Sequence, residues 1–327
     1  MKVALDWFNR RCPVCEAHNF RVLFRDRNRR EGYDVETDLV ECISCGMRYL
    51  NPIPVASSWL SKYDVGYQQT QSKVRPEFVR YIMYIADQLV AQICSRDMHL
   101  HYAPRGLGEN RKILDIGCGT GEKLKDYHRR GFQTYGIDIS PTAIARARKM
   151  LSGDFQIGDF ETASYPDDFF DVVRFDNVLE HIYNPRAFLQ KVYQVLRPGG
   201  TAYGYVPNGN SPSMRYMGKY SVSSWIPFHI NLFTPATLDK LARETGFKTH
   251  VSLITNPNWV ALSIYQWRNR NRKKINFSNG FLSQKISMSI VAPISWLFKK
   301  MGMGEELCLK AIRPIMSLSA QAHNARQ

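Results

Sequence analysis

The stretch ILDIGCGTGEKL, residues 113–124, decides how the rest of the chain is read. Its apolar start runs through Asp115 and Ile116 into glycines at Gly117, Gly119 and Gly121, and a charged amphipathic stretch follows. A strand turning through closely spaced glycines into a helix lets the backbone approach a ligand and directs helix N–H groups at it. The spacing is G-x-G-x-G, with the third glycine one residue earlier than in the dinucleotide pattern G-x-G-x-x-G. A tight turn without any ligand also asks for glycine, so the acids downstream carry the distinction. Asp138 closes the next strand-like run, YGIDIS, about 20 residues on, where a carboxylate can accept both hydroxyls of a ribose. Asp159 closes the following run, FQIGDF, beside Phe160, so that an acceptor and an aromatic face stand together as an adenine site requires.

Outward from this loop, strand-like and helical patterns alternate: KILDIG, EKLKDYHRRG, QTYGIDI, PTAIARARKML, FQIGDF, DVVRFDN, NPRAFLQKVYQVLRPGG, TAYGYVP. Such alternation predicts a parallel sheet with helices on both faces. Ser140-Pro141, Asn184-Pro185 and Thr234-Pro235 each place a capping residue before a proline at the first helical position. Gly131 and Gly246 follow helical patterns as stops. After residue 254 the rhythm breaks, and WRNRNRKK leads into a helical stretch before a last strand-like run, EELCLKAIRP. Upstream, Phe78, Ile82, Ile85, Leu89 and Ile93 recur at helical spacing after the Pro-punctuated bridge NPIPVASSWL.

The segments LDIGCGTG, GIDIS, GDF, FDVVRFDNVLEHIYNP, VLRPGG and LARETGF, in that order, make residues 111–256 resemble the class I S-adenosylmethionine-dependent methyltransferases. The resemblance implies an α/β fold: a doubly wound, seven-stranded, mostly parallel sheet of Rossmann-like type over residues 111–315, with EELCLKAIRP as a late antiparallel strand. It implies S-adenosyl-L-methionine as cofactor. Gly117, Cys118 and Gly119 would then pass under the methionine part, Asp115 would help hold its amino group, and Gly121 would belong to the same cofactor-binding loop. Asp138 would take the ribose, with Ile139 beside it also at the cofactor; Asp159 and Phe160 would take the adenine, and Asp176 would sit near the sulfonium. Arg174 departs from the resemblance, standing where an uncharged residue is usual; it either pairs with a neighbouring acid or faces the substrate.

Four of the seven cysteines fall in two pairs, CPVC (Cys12, Cys15) and CISC (Cys42, Cys45), with 26 residues between the pairs. Each pair can offer two thiolates, and four thiolates complete the tetrahedral shell of structural zinc, Zn2+. Residues 1–50 therefore read as a small zinc-ribbon-like unit, stabilising rather than catalytic, whose intervening basic run FRDRNRREGYD forms a solvated hairpin tip. Residues 51–110 read as a linker with helices, and 316–327 as a tail. A zinc unit followed by CGMRYLNPIP and this domain is similar to bacterial enzymes of cell-surface polysaccharide and modified-sugar biosynthesis, which implies a sugar or lipid-linked acceptor.

A hydroxyl acceptor must lose a proton, and histidine is the natural base near neutral pH. His181, in VLEHI, follows the fourth strand; His229, in PFHINLF, lies in the stretch 205–233 that should cover the acceptor. His229 is the favoured base, although His181 with Glu180 can simply shape its loop and His229 can simply pack the lid. Tyr216, Tyr220 and Trp225 in the lid either stack on an acceptor ring or pack.

The net charge of +15 favours phosphate-bearing partners, and 44% hydrophobic content excludes a disordered chain. RNRNRKK, residues 268–274, precedes Leu282, Ile286, Ile290, Ile294, Leu297 and Met301 at helical spacing within the insertion 257–303. That combination suits peripheral contact with an anionic membrane, and packing on the core with a merely solvated basic run suits it equally. No secretory signal is read at the start, and ISMSIVAPISWLF is shorter than the roughly 20 residues of a spanning helix. The expected address is cytoplasmic, peripheral at the inner membrane face. An RNA methyltransferase is a competing reading, since zinc and positive charge suit nucleic acid, but no Asn-Pro-Pro-Tyr-like run follows the fourth strand. A non-catalytic cofactor-binding or partner-docking protein ranks last, and the oligomeric state is not legible.

Overall fold

In a computed structural model, residues 7–27, 36–54, 110–270 and 281–315 of the chain are described. The helix expected over residues 78–93 lies outside them, as do residues 271–280 of the basic arm and 316–327 of the tail.

The alternating runs form β6 (Lys112–Ile116), α1 (Leu124–Arg129), β7 (Gln133–Asp138), α2 (Pro141–Met150), β8 (Asp154–Ile157), β9 (Phe170–Asp176), α3 (Pro185–Val195) and β10 (Leu196–Pro207). They are preceded by β1 (Trp7–Phe8), β2 (Phe20–Arg27), β3 (Glu36–Cys42), β4 (Arg48–Leu50) and β5 (Ile53–Pro54). The chain continues through α4 (Pro212–Met217), β11 (Asn231–Leu232), α5 (Pro235–Glu244), β12 (Lys248–Ile254), α6 (Pro257–Arg268), α7 (Phe281–Lys300) and β13 (Glu306–Ile312).

The three expected caps are in place: Ser140 Oγ, Asn184 Oδ1 and Thr234 Oγ1 accept from the N–H groups of Ala143, Ala187 and Thr237 at 3.1, 3.0 and 3.3 Å. Gly131 and Gly246 take the positive φ, +79° and +98°, that ends a helix.

The large sheet has seven strands in the order β12-β13-β10-β9-β6-β7-β8. β8, β7, β6, β9 and β10 run parallel, while β13 is antiparallel to both β10 and β12. Both faces are covered, as a parallel sheet requires. Leu114, Val173 and Phe175 meet Phe188, Leu189 and Val192 of α3 on one face; Ile113 and Val172 meet Leu124, Tyr127, Ile144 and Ala147 on the other. The chain reverses its direction of travel between β6 and β9, and ligands of such sheets bind outside the carboxyl ends at that switch point.

The cysteine-bearing residues pack against the large sheet. Val14, Val40, Met47 and Tyr49 belong to the same hydrophobic core as the large sheet. β2, β3 and β4 form a second sheet whose other edge is β11, with Asn231 opposite Tyr49 and Leu232 opposite Arg48. The segment HINLF is thus held by the N-terminal residues. α6 packs on the lid elements and α7 on α6, so the insertion lies over the lid.

Candidate active site

A cavity of about 500 Å³ opens at the carboxyl ends of β6, β7, β8 and β9. Gly117 lines it with φ +69°, and a Cβ there would meet Val178 Cγ2 at 2.6 Å, so both conformation and space demand glycine. Asp138 and Ile139 line it at the end of β7. Asp138 Oδ2 accepts from Gly119 N at 2.8 Å and Oδ1 from Ser140 N at 2.9 Å, which fixes the carboxylate at the cavity wall. Past β8, Asp159 and Phe160 line it; Asp159 Oδ1 accepts from Glu161 N at 2.9 Å, and the Phe160 ring stands edge-on to Phe188 with centroids 5.4 Å apart. Asp176, Asn177, Val178, His181 and Tyr183 close the other end.

Four of the residues expected at the cofactor do not line this cavity: Asp115, Cys118, Gly119 and Gly121. Gly119 acts through Asp138. Gly121, φ +77°, faces α2, where a Cβ would stand 3.4 Å from that of Ala147, so helix packing claims it. Asp115 is engaged from beneath the cavity. Arg174 Nη1 donates to both its oxygens at 3.1 and 3.2 Å, and Nη2 donates to Asp176 Oδ2 at 2.6 Å.

Arg174 is 1% exposed and so pairs with neighbouring acids rather than reaching substrate. Burial opposes its charge, but Asp115 and Asp176 together hold its pKa above the ordinary arginine value. Burial pushes Asp115 up to about 6 against the pull of Arg174. Asn177 and Tyr183 escaped sequence reasoning. The signal for Asn177 is its position: asparagine tolerates the left-handed φ of +54° at which the chain leaves β9.

The 3-10 turn Leu179–His181 and the lid are stitched together. Ile230 N donates to Glu180 O at 2.9 Å, and Asn231 Nδ2 donates to Ile182 O at 2.7 Å. His181 Nδ1 is 2.7 Å from Phe228 O, and His229 Nδ1 is 2.9 Å from Ser223 O. The two imidazoles stand 5.0 Å apart between centroids. His181 lines the cavity, whereas His229, 4% exposed, is walled off behind it. Burial lowers His181 to about 4, with the Phe228 carbonyl acting in the opposite sense, and burial raises Glu180 well above the usual carboxylate range. Tyr216, Tyr220 and Trp225 do not line the cavity: Tyr216 is 68% exposed beside Phe298, and Trp225 packs on Phe228 and His229.

The sulfurs of Cys12, Cys15, Cys42 and Cys45 lie within 4.8 Å of one another. Cys12 Sγ to Cys45 Sγ and Cys15 Sγ to Cys42 Sγ are both 3.5 Å. Two matching turns bring them in: Glu16 N bonds Cys12 O and Gly46 N bonds Cys42 O, each at 2.9 Å, with φ of +59° and +74° at Glu16 and Gly46. Four convergent thiols fit a tetrahedral metal and leave no open position.

A family profile described as a methyltransferase domain matches residues 88–251. The ubiquinone biosynthesis O-methyltransferase of Cereibacter sphaeroides is 30% identical over 174 residues, 50% of this chain and 68% of that one. The protein of the same name from Azoarcus is 36% identical over 151 residues, 42% of this chain and 64% of that one. Among solved structures, the phosphoethanolamine N-methyltransferase 2 of Haemonchus contortus in complex with S-adenosyl-L-methionine matches at 15% identity and a TM-score of 0.49, over 89% of this chain and 71% of that chain.

Proposed function

Taking as premise that the chain belongs to the methyltransferase-domain family, we propose that it moves the methyl group of S-adenosylmethionine to a hydroxyl of a small acceptor. One observation carries this: Asp138, Asp159 and Phe160, from two neighbouring strand ends, share one cavity with Asp176 and His181. The first three suit a nucleoside, and the last two stand where the acceptor would meet the sulfonium. Asp138 and Ile139 would hold the ribose, Asp159 and Phe160 the adenine, and Gly117 admits the methionine part. Methyl transfer is an in-line displacement: the acceptor oxygen supplies the electron pair, the carbon–sulfur bond breaks toward sulfur, and the hydroxyl proton must leave.

The relatives' names favour oxygen as the acceptor atom. We read the acceptor as a sugar or lipid-linked precursor of cell-surface polysaccharide; what supports this is the resemblance carried by the four-cysteine unit ahead of the methyltransferase domain. The names of the relatives favour a second reading, a ring hydroxyl of a quinone precursor. The four cysteines would hold zinc, whose task is to brace the lid through β4 and β11.

Methyl-labelled cofactor incubated with the full chain and, in turn, a lipid-linked sugar pool, quinone precursors and RNA tests the assignment. Label in the first pool is the expected result, and label in the second replaces the acceptor while keeping the reaction. Transfer only to RNA would overturn the small-molecule reading.

A further inference from the structure

Glu180 is fully buried, 0% exposed, and neither of its carboxylate oxygens has a hydrogen-bond partner among the described residues. Burying an unsatisfied carboxylate is among the most unfavourable arrangements a fold can adopt, so its surroundings need an explanation. What surrounds it are two imidazole nitrogens: His181 Nε2 and His229 Nε2 each lie 3.9 Å from Glu180 Oε1. That is too long for a hydrogen bond.

The backbone fixes what those nitrogens present. A carbonyl oxygen only accepts, so the contacts of His181 Nδ1 with Phe228 O, 2.7 Å, and of His229 Nδ1 with Ser223 O, 2.9 Å, place the ring proton on Nδ1 in both residues. In the neutral imidazole the lone pair is then on Nε2, the nitrogen that lies 3.9 Å from Glu180 Oε1 in both residues. An imidazole anchored to a carbonyl through one nitrogen while its other nitrogen faces a shared point is the arrangement of metal-ligating histidines. Ligands held at about 2.1 Å from one ion lie at most about 4.2 Å apart, and the two 3.9 Å separations fall within that reach. The three ligand atoms all lie within 4.8 Å of one another.

We propose that Glu180, His181 and His229 form a second metal site, distinct from the four cysteines, which takes a divalent first-row cation such as Mn2+, Fe2+ or Zn2+. Two nitrogens and one carboxylate leave coordination positions open, and of the three ligands His181 is the one in the cavity wall, so an acceptor would approach the ion from its side. This last point rests on the methyltransferase reading; the metal site itself does not. An acceptor hydroxyl reaching the cation would release its proton to cavity water, its oxygen would bond to the methyl carbon, and the carbon–sulfur pair would return to sulfur, yielding ether, thioether and a proton.

The test uses the full chain. Zinc-loaded, dialysed wild-type protein should carry a second metal per chain beyond the one on the cysteines, by elemental analysis. Mn2+, which prefers nitrogen and oxygen over thiolate, should bind one site per chain by electron paramagnetic resonance. Glu180→Gln, close in shape, and His229→Ala should each weaken Mn2+ at least about tenfold, the scale of even indirect changes around a metal. Circular dichroism checks their folding. One metal per wild-type chain with no Mn2+ bound, or Mn2+ binding unchanged in folded Glu180→Gln, would overturn the site. Calorimetry with S-adenosylmethionine is read separately: no heat there with Mn2+ bound would remove the methyltransferase reading and leave the metal site standing.

Discussion

A single arginine between two carboxylates sets the electrostatics beneath the cavity, because Arg174 is the direct cross-strand neighbour of Asp115 on β6 and also reaches Asp176 two residues along its own strand. Removing one member of a buried ionic set leaves the others uncompensated, which typically costs about 3–5 kcal/mol. Arg174→Met should therefore lose stability on that scale, measured by urea unfolding. The deficit should depend on pH. Asp115 already titrates at about 6 in the folded protein, and without Arg174 its value rises further. A native state that holds protons which the unfolded chain, at about 3.9, has released grows less stable as pH rises between the two values. The deficit should thus be larger at pH 8 than at pH 5, and a pH-independent deficit would show that the acids are not its cause. Nothing in the one-dimensional sequence ties residue 174 to 115; only the parallel register of β6 and β9 does, which is why both fates of Arg174 stayed open until the strands were paired.

At the level of elements, the glycine loop divides its work between ligand and packing. Gly117 lines the cavity, while Gly121 abuts Ala147 and Leu151 of the helix opposite, and both have positive φ. A left-handed conformation costs a side chain roughly 1–2 kcal/mol. Gly121→Ala should lower stability by about that much and leave S-adenosylmethionine affinity within about threefold, whereas Gly117→Ala, blocked by Val178, should lower both. Calorimetry beside thermal melts separates the two, and equal losses of affinity would refute the division. The loop was legible because glycine spacing and strand-end acids repeat locally, and the helix starts were legible because a cap and a proline suffice to write one. The same signature at Ser211-Pro212 and Asn256-Pro257 also starts helices α4 and α6. β11 was not legible: two residues, Asn231 and Leu232, become a strand only because β4 offers an edge.

Across the whole molecule, the N-terminal sheet, the lid and the insertion form a continuous stack, which meets the cavity wall where His229 stands against His181. Arg10 Nη2 donates to Ile230 O at 2.5 Å and to Asn231 Oδ1 at 3.0 Å, so the N-terminal residues grip the segment carrying His229, and Tyr183 OH, two residues past His181, donates to Pro54 O at 2.5 Å. With zinc on the four cysteines as proposed, Cys42→Ser should remove it and lower methyl transfer at least about tenfold while S-adenosylmethionine affinity holds within about threefold, because the nucleoside end belongs to β7 and β8. Loss of cofactor binding in parallel would place the metal's role elsewhere. The outermost layer is α7, which buries Val291, Ala292 and Ser295 but exposes Ile294, Trp296 and Leu297, and ends in Lys299 and Lys300 just before the exposed Met301. Among the described residues no helix is long and apolar enough to cross a membrane. An exposed apolar stripe ending in lysines, on a chain of net charge +15, suits the surface of an anionic bilayer. The full chain should co-sediment with phosphatidylglycerol vesicles at low salt and be released at high salt, with little binding to phosphatidylcholine alone. The variant Ile294→Ser/Trp296→Ser/Leu297→Ser, changed only at exposed positions, should keep its melting temperature and lose most of that binding; undiminished sedimentation of the folded variant would mean that α7 is not the contact.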